Sequence, residues 1–176
     1  MHPEPNPRRR LPPGVVRIEP GPGEESVWDY PRPPRVEPVA ARVRVVVADR
    51  TIADTTRAVR VLETAGAPVY YVPAEDVRFD DLRRNGRTTT CEWKGRATHF
   101  DFDDGARRVG SVGWSYPEPR PGYEMLRHRV AFYAGRVDEA WVGDETARPQ
   151  PGGFYGGWVT DAIVGPIKGE PGSEWW

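Results

Sequence analysis

Proline and glycine punctuate this chain so heavily that regular structure must come in short pieces. Together they account for 39 of 176 residues, about twice their usual share. Proline removes a backbone donor and glycine weakens any helix interior. Yet 11% of the residues are aromatic, with seven Trp, seven Tyr and five Phe. A wholly disordered chain lacks such aromatics. The combination predicts an all-β, turn-rich domain and argues against a helical bundle. The length suits one domain, or one domain with tails, and a chain near this size buries roughly 70% of its extended surface.

Charge narrows the partners. Lys and Arg number 25 against 26 Asp and Glu, for a net charge of −1. No overall field attracts nucleic acid or an anionic membrane, so neither is expected as a partner. The longest basic cluster, Arg8-Arg9-Arg10, sits in a Pro-rich arm and reads as solvated. No stretch approaches the ~20 apolar residues of a membrane span. The first ten residues lack the apolar run of a secretory signal. Cys91 is the one cysteine, which excludes an internal disulfide and paired-cysteine zinc sites. A reducing cytoplasm is the expected location.

Eleven of the 20 prolines fall in residues 1–38. Residues 1–25 are therefore expected to be a flexible, Pro-rich arm. Residues 26–148 form the β domain, opened by Ser26-Val27-Trp28-Asp29-Tyr30-Pro31, whose aromatics suit docking on that domain. Residues 149–176 form a tail with seven glycines and four prolines among Phe154, Tyr155, Trp158, Trp175 and Trp176, expected to pack on the domain or on a partner subunit.

Within the domain, Val43–Val47 reads as a strand that turns near Asp49-Arg50 into Thr51–Ala53. Residues 55–64 fit two patterns. Ala58, Val61, Leu62 and Ala65 would share a helical face, whereas their Thr and Val content favours a strand. Val69–Val72 is a strand stopped by Pro73, and 74–82 and 123–128 suit short helical turns. Lys94-Gly95 predicts a two-residue hairpin loop joining 88–93 to 96–102. That register opposes Cys91 to Thr98 and Thr89 to Phe100. It places Cys91 on an apolar face with Trp93, Phe100 and Phe102, and His99 on a polar face with Glu92 and Asp101. A buried, inert Cys91 and a solvated or ion-paired His99 follow. Asp104-Gly105 predicts a turn into a strand near 107–112, and Ala134-Gly135-Arg136 a hairpin between 130–133 and 137–142.

No residue pattern supplies a phosphate loop, a nucleophile elbow, a dinucleotide fingerprint or a zinc-protease helix. The Gly152–Gly157 run lacks the Lys-Ser/Thr ending of a phosphate loop and reads as packing glycine. Charged Arg60, Glu63 and Lys94 lie beside aromatic β segments carrying Tyr71, Trp93, Trp114 and Tyr116. Aromatic walls with a few polar anchors are the make-up of a small-molecule site. The alternative is a set of surface ion pairs worth under ~1 kcal/mol each.

An ordered set of segments carries a resemblance. It includes Val27–Pro33, Arg60–Thr64, Pro68–Pro73, Thr90–Gly95, Trp114–Pro117, Val130–Tyr133 and Gly153–Val159. The chain resembles the family called domain of unknown function 427, sometimes labelled nucleotidyltransferase-like, over roughly 24–176. The resemblance implies an all-β, single-domain fold like the β-tent of methionine sulfoxide reductase B. Zinc-binding members of that fold use paired cysteines, so no metal or other cofactor is expected here. Glu92 follows Cys91 where the family more usually has proline. The expectation is a β-tent-like domain that binds, and in one version transforms, a small polar or anionic metabolite in an aromatic-walled cleft. Glu63 is the acid/base candidate. Arg60 and Lys94 are the anion anchors, and Tyr71, Trp93, Trp114 and Tyr116 the walls. The competing expectation is a non-catalytic interaction module, or a homodimer, built on the aromatic tails.

Overall fold

The computed structural model describes residues 11–176, so the Arg8-Arg9-Arg10 cluster lies outside the described residues. Those residues form fifteen short strands and four single 3-10 turns. β1 (Glu25–Ser26) and β2 (Arg35–Pro38) precede β3 (Val43–Val47), which returns into β4 (Arg50–Thr55). The β3–β4 turn holds Ala48 and Asp49 at φ 51° and 59°. Two successive positive φ values match the twist of the flanking strands. The Ala48 N–H, 2.7 Å from Asp138 Oδ2, donates to that carboxylate and secures the turn. β5 (Val59–Leu62) resolves the ambiguous segment as a strand, and β6 (Val69–Pro73) follows it. Then come β7 (Leu82–Cys91), β8 (Gly95–Asp103), β9 (Arg108–Ser115) and β10 (Arg129–Phe132). The chain ends with β11 (Glu139–Val142), β12 (Glu145–Thr146), β13 (Arg148–Pro149), β14 (Trp158–Val159) and β15 (Ile163–Val164). The expected helical turns appear as 3-10 turns at Ala74–Asp76, Phe79–Asp81 and Glu124–Leu126, with another at Val27–Asp29. No helix among the described residues is long and apolar enough to cross a membrane.

An antiparallel seven-stranded sheet runs β2-β5-β6-β10-β9-β8-β7, and a four-stranded one β12-β11-β3-β4. β1 pairs parallel with β15, and β13 antiparallel with β14. Side chains alternate along a strand, so each sheet has two distinct faces. Val43, Val45, Val47 and Ile52 of the smaller sheet join Tyr70, Val72, Phe102, Val130 and Phe132 of the larger in one buried cluster. Each such side chain contributes roughly 1.5–3 kcal/mol on burial. The intervening residues Tyr71 and Ala131 join Val61, Trp114 and Tyr116 in a second cluster. The large sheet is therefore apolar on both faces, and the candidate site occupies the second.

Two expected pairings differ from the structure. The β7–β8 loop is Glu92-Trp93-Lys94, with Cys91 opposite Gly95 and Thr89 opposite Ala97. Gly95 has φ 105°, a conformation glycine adopts without a Cβ penalty, and such a residue closes a three-residue loop. The three-residue shift exchanges the faces. Phe100 and Phe102 enter the main core, while Cys91 goes to the second face beside Ala97. His99 is buried, not solvated, at 2% exposure. Second, 130–133 and 137–142 do not form a hairpin. β10 inserts between β6 and β9, whereas β11 pairs with β3 and β12. The turn between them carries the chain from one sheet to the other.

The C-terminal segment crosses both clusters. Trp158 is 1% exposed in the main core, with its ring 5.1 Å from Tyr70. Its Nε1–H donates to the Phe132 carbonyl at 2.8 Å. Gly156 lies so close to Trp114 that a Cβ would sit 2.0 Å from the indole Cη2. Ile163 joins Val27, Trp28 and Tyr30 in a third cluster, against which Trp176 also packs. Phe154 and Trp175 stand out at 74% and 65% exposure.

Candidate functional site

A cavity of about 270 Å³ opens on the second face of the large sheet. β5 and β6 supply Val61, Val69 and Tyr71, β7 supplies Arg87, Thr89 and Cys91, β8 supplies His99, and β9 supplies Trp114. Alternation explains the selection, since Tyr71, Trp114 and His99 all project from that face. The opposite wall is Tyr155, Gly156 and Lys168 from the C-terminal segment. Gln150 ties that wall down. Its Oε1 accepts from the Ala67 N–H at 3.0 Å, and its Nε2 donates to the Lys168 carbonyl at 2.8 Å.

The aromatic walls brace one another. Trp114 and Tyr133 lie 4.5 Å apart, Tyr71 meets Trp114 edge-on at 6.2 Å, and Tyr71 and Tyr116 are 6.4 Å apart. Such pairs contribute about 0.5–1.5 kcal/mol beyond their area. The Arg136 guanidinium covers Tyr133 at 4.2 Å. Burial first, and then Tyr116 for Tyr71 and Cys91 for Tyr116, raise both phenols above the ordinary tyrosine range, so both remain neutral hydroxyls.

The charges on the wall are unbalanced. Glu63 is the single carboxylate lining the cavity among the described residues, and it pairs with Arg32 at 3.2 Å. Lys168 Nζ donates to the Trp176 carbonyl at 3.2 Å and lies 5.3 Å from the centre of the Tyr155 ring. Arg87 and Lys94 have no carboxylate partner among the described residues. His99 Nε2 lies 2.9 Å from Thr89 Oγ1, and its Nδ1 has no hydrogen-bond partner among the described residues. Burial, then Arg87 and Arg136, push the imidazole below its usual pKa, so the ring is neutral at neutral pH. The lining thus combines cations without carboxylate partners, neutral hydroxyls and aromatic rings, a mix of apolar walls and a few polar groups that is common in small-molecule sites.

The sequence-predicted residues divide. Glu63, Tyr71, Lys94, Trp114 and Tyr116 line this cavity. Arg60 does not. It lies one residue from Val61 and so on the other face, where its Nη2 meets Glu25 Oε1 at 2.9 Å and Glu37 Oε1 at 2.6 Å. There it borders a separate cavity of about 280 Å³ with Tyr70. Trp93 packs against the second cluster outside the lining, its Nε1 buried without a partner among the described residues. Sequence reasoning passed over Arg87, Tyr133, Tyr155 and Lys168, and assigned His99 to a polar face as a solvated or ion-paired group. It held Cys91 to be buried and inert, whereas Cys91 is half-buried on the cavity wall. A three-residue loop closed by Gly95 was the signal that would have brought Cys91 and His99 to one face. No group of three histidine, cysteine or carboxylate side chains among the described residues is arranged to hold a metal ion.

The profile of the family described as domain of unknown function (DUF427) matches residues 35–143. That is more than half of the chain, and the protein belongs to this family. No curated protein matches the chain. The matched segment contains Glu63, Arg87, Lys94, His99 and Trp114. Arg32 precedes it, and Gln150, Tyr155 and Lys168 follow it, so one cavity wall comes from outside the matched region.

Proposed function

We propose that the protein binds a small anionic metabolite in the cavity on the second face of the large sheet. The observation that carries this reading is the pairing of spare cations, Arg87 and Lys94, with a braced aromatic wall around about 270 Å³. Arg87 and Lys94 attract the anion, and Tyr71, Trp114, Tyr116 and Tyr133 hold the rest of the ligand. Glu63, engaged by Arg32, orients a ligand hydroxyl or amine and is the acid/base group if a reaction follows. A thermal-shift screen of phosphorylated and carboxylated metabolites tests the reading. A ligand at 100 times its Kd adds about 2.7 kcal/mol of stability. The wild type gains that stability and the Arg87→Gln/Lys94→Gln double variant does not. A screen without a stabilising anion, or one whose hits survive the double variant, overturns it.

A second reading rests on Phe154 and Trp175, which are the most exposed of the tail aromatics. Under it, these rings contact another protein or a second copy of the chain. Sedimentation of the wild type beside a Phe154→Ser/Trp175→Ser variant distinguishes the two. A monomer in both removes the self-association form of this reading.

A further inference from the structure

His99 is a buried titratable group on the cavity wall to which the anion-binding reading gives no role. It is almost wholly buried, yet only one ring nitrogen has a partner among the described residues. A buried polar atom left unsatisfied costs roughly 1–3 kcal/mol, so such atoms in native proteins call for a reason. The partner it does have is informative. A threonine hydroxyl both donates and accepts, unlike a carboxylate or an amide N–H. Thr89 can therefore donate to Nε2 of a neutral imidazole and accept from Nε2–H of a charged one. The Thr89 hydroxyl holds the ring in position through a change of protonation.

We propose that His99 is the proton-accepting group of this cavity: when an oxyanion, a phosphate or carboxylate group of the ligand, seats beside Arg87, the imidazole takes one proton from solvent and donates Nδ1–H to it. The inference rests on the anion-binding reading above. The ionisable groups around the ring are Arg87 and Cys91 from β7 and Tyr133 and Arg136 after β10, with Arg32, Glu63, Lys94, Lys168 and the phenols of Tyr71, Tyr116 and Tyr155 elsewhere on the wall. β9 contributes the uncharged Trp114, opposite His99 in the sheet register. Burial, and then the charges of Arg87 and Arg136, oppose a positive charge on the ring. An oxyanion among them reverses the sign of the local field and favours the imidazolium. Binding and protonation are then linked, and the ligand binds more tightly as pH falls toward the titration of His99.

The test is histidine NMR on the full chain, which contains three histidines. His2→Asn and His128→Asn variants assign the other two resonances, and Trp114→Phe assigns the Trp114 indole signal. Sulfate serves as the oxyanion probe, because its own charge is constant over the titration, with chloride at matched ionic strength as the control. Sulfate is expected to raise the His99 midpoint by about one pH unit, a tenfold change in proton affinity, and to leave His128 unmoved. In Arg87→Gln the sulfate effect disappears, while the midpoint without sulfate rises, because an opposing cation is gone. If sulfate moves the Trp114 indole signal but not the His99 midpoint, the proton uptake is overturned and the anion-binding cavity stands. If sulfate moves neither signal, both fall.

Discussion

Replacing Gly156 by alanine probes the contact that joins the C-terminal segment to the cavity wall. Gly156 is not at positive φ, so an added methyl brings no backbone strain of its own. The cost comes from space. The new Cβ would lie 2.0, 2.8 and 3.0 Å from Cη2, Cζ3 and Cζ2 of Trp114. Carbon atoms rest at about 3.5–4.0 Å, so one partner must yield by roughly 1.5 Å. Trp114 is hemmed in by Tyr133 and Tyr71, so the segment lifts instead. Overpacking of this kind costs about 1–3 kcal/mol. The lower entropy of the unfolded alanine chain offsets about 0.4–1 kcal/mol. The net loss, centred on ~1.3 kcal/mol, lowers the melting temperature by about 3–5 °C for a chain of this size. Gly110→Ala is the internal control, since its Cβ would meet nothing closer than Asp101 Oδ1 at 4.0 Å. That variant is expected to melt at or slightly above the wild type. Differential scanning calorimetry of both decides the matter. A Gly156→Ala protein that melts no lower than Gly110→Ala refutes the packing of residues 152–157 on Trp114.

Trp158→Phe keeps most of the buried ring but leaves the Phe132 carbonyl without its donor, and should cost about 1–3 kcal/mol in urea unfolding. An unchanged midpoint would mean that the indole N–H contributes nothing. Glu63→Gln breaks a part-exposed ion pair with Arg32, so its effect on melting should stay below about 1 kcal/mol. A loss of several kcal/mol would make Glu63 a structural residue instead of a cavity group. Asp101 accepts from the Ser111 N–H at 2.8 Å, Asn85 at 2.7 Å and Arg108 at 2.9 Å, and these donors hold its pKa below the usual carboxylate range. Its stabilisation is complete above about pH 4 and is lost as pH falls through its lower folded value. Stability measured from pH 5 downward should therefore fall less steeply in Asp101→Asn than in the wild type, and equal slopes would show that other carboxylates govern the acid limb.

Elements whose pattern was local were legible in the sequence. The β3–β4 hairpin and the Asp104-Gly105 turn follow from short-range chemistry, and the strand at Val59–Leu62 follows from β-branched content. The hairpin of β7 and β8 was also recognisable, but its register was not. Lys94-Gly95 looks like a two-residue loop unless the φ of Gly95 is known, and one wrong loop length reverses every side chain after it. That error hid His99 and Cys91 from the site. The separation of β10 from β11 was invisible for a different reason. Nothing near Ala134-Gly135-Arg136 encodes which sheet the next strand joins; the choice is made by distant edges at β3 and β9. Arg60 beside Glu63 was a parity problem, because adjacent positions in an extended segment face opposite sides until the strand ends at Leu62. The aromatic residues Tyr71, Trp114 and Tyr116 were found because large rings in short strands have few places to go except a core or a cavity.

The order of the large sheet also bears on how the protein behaves in a crowded solution. Its two outer strands, β2 and β7, leave a row of backbone groups on each flank. Exposed rows of that kind are templates on which further chains add, and proline and charge are the usual deterrents. β2 ends in Pro38 and follows Pro33-Pro34, so one flank cannot supply a continuous ladder of donors. β7 carries Arg83, Arg84 and Arg87, all exposed, so a second copy laid alongside would bring like charges together. Proline on one flank and like charge on the other disfavour polymerisation by sheet extension. Neutralising all three arginines together should therefore promote aggregation on heating more than neutralising Arg87 alone.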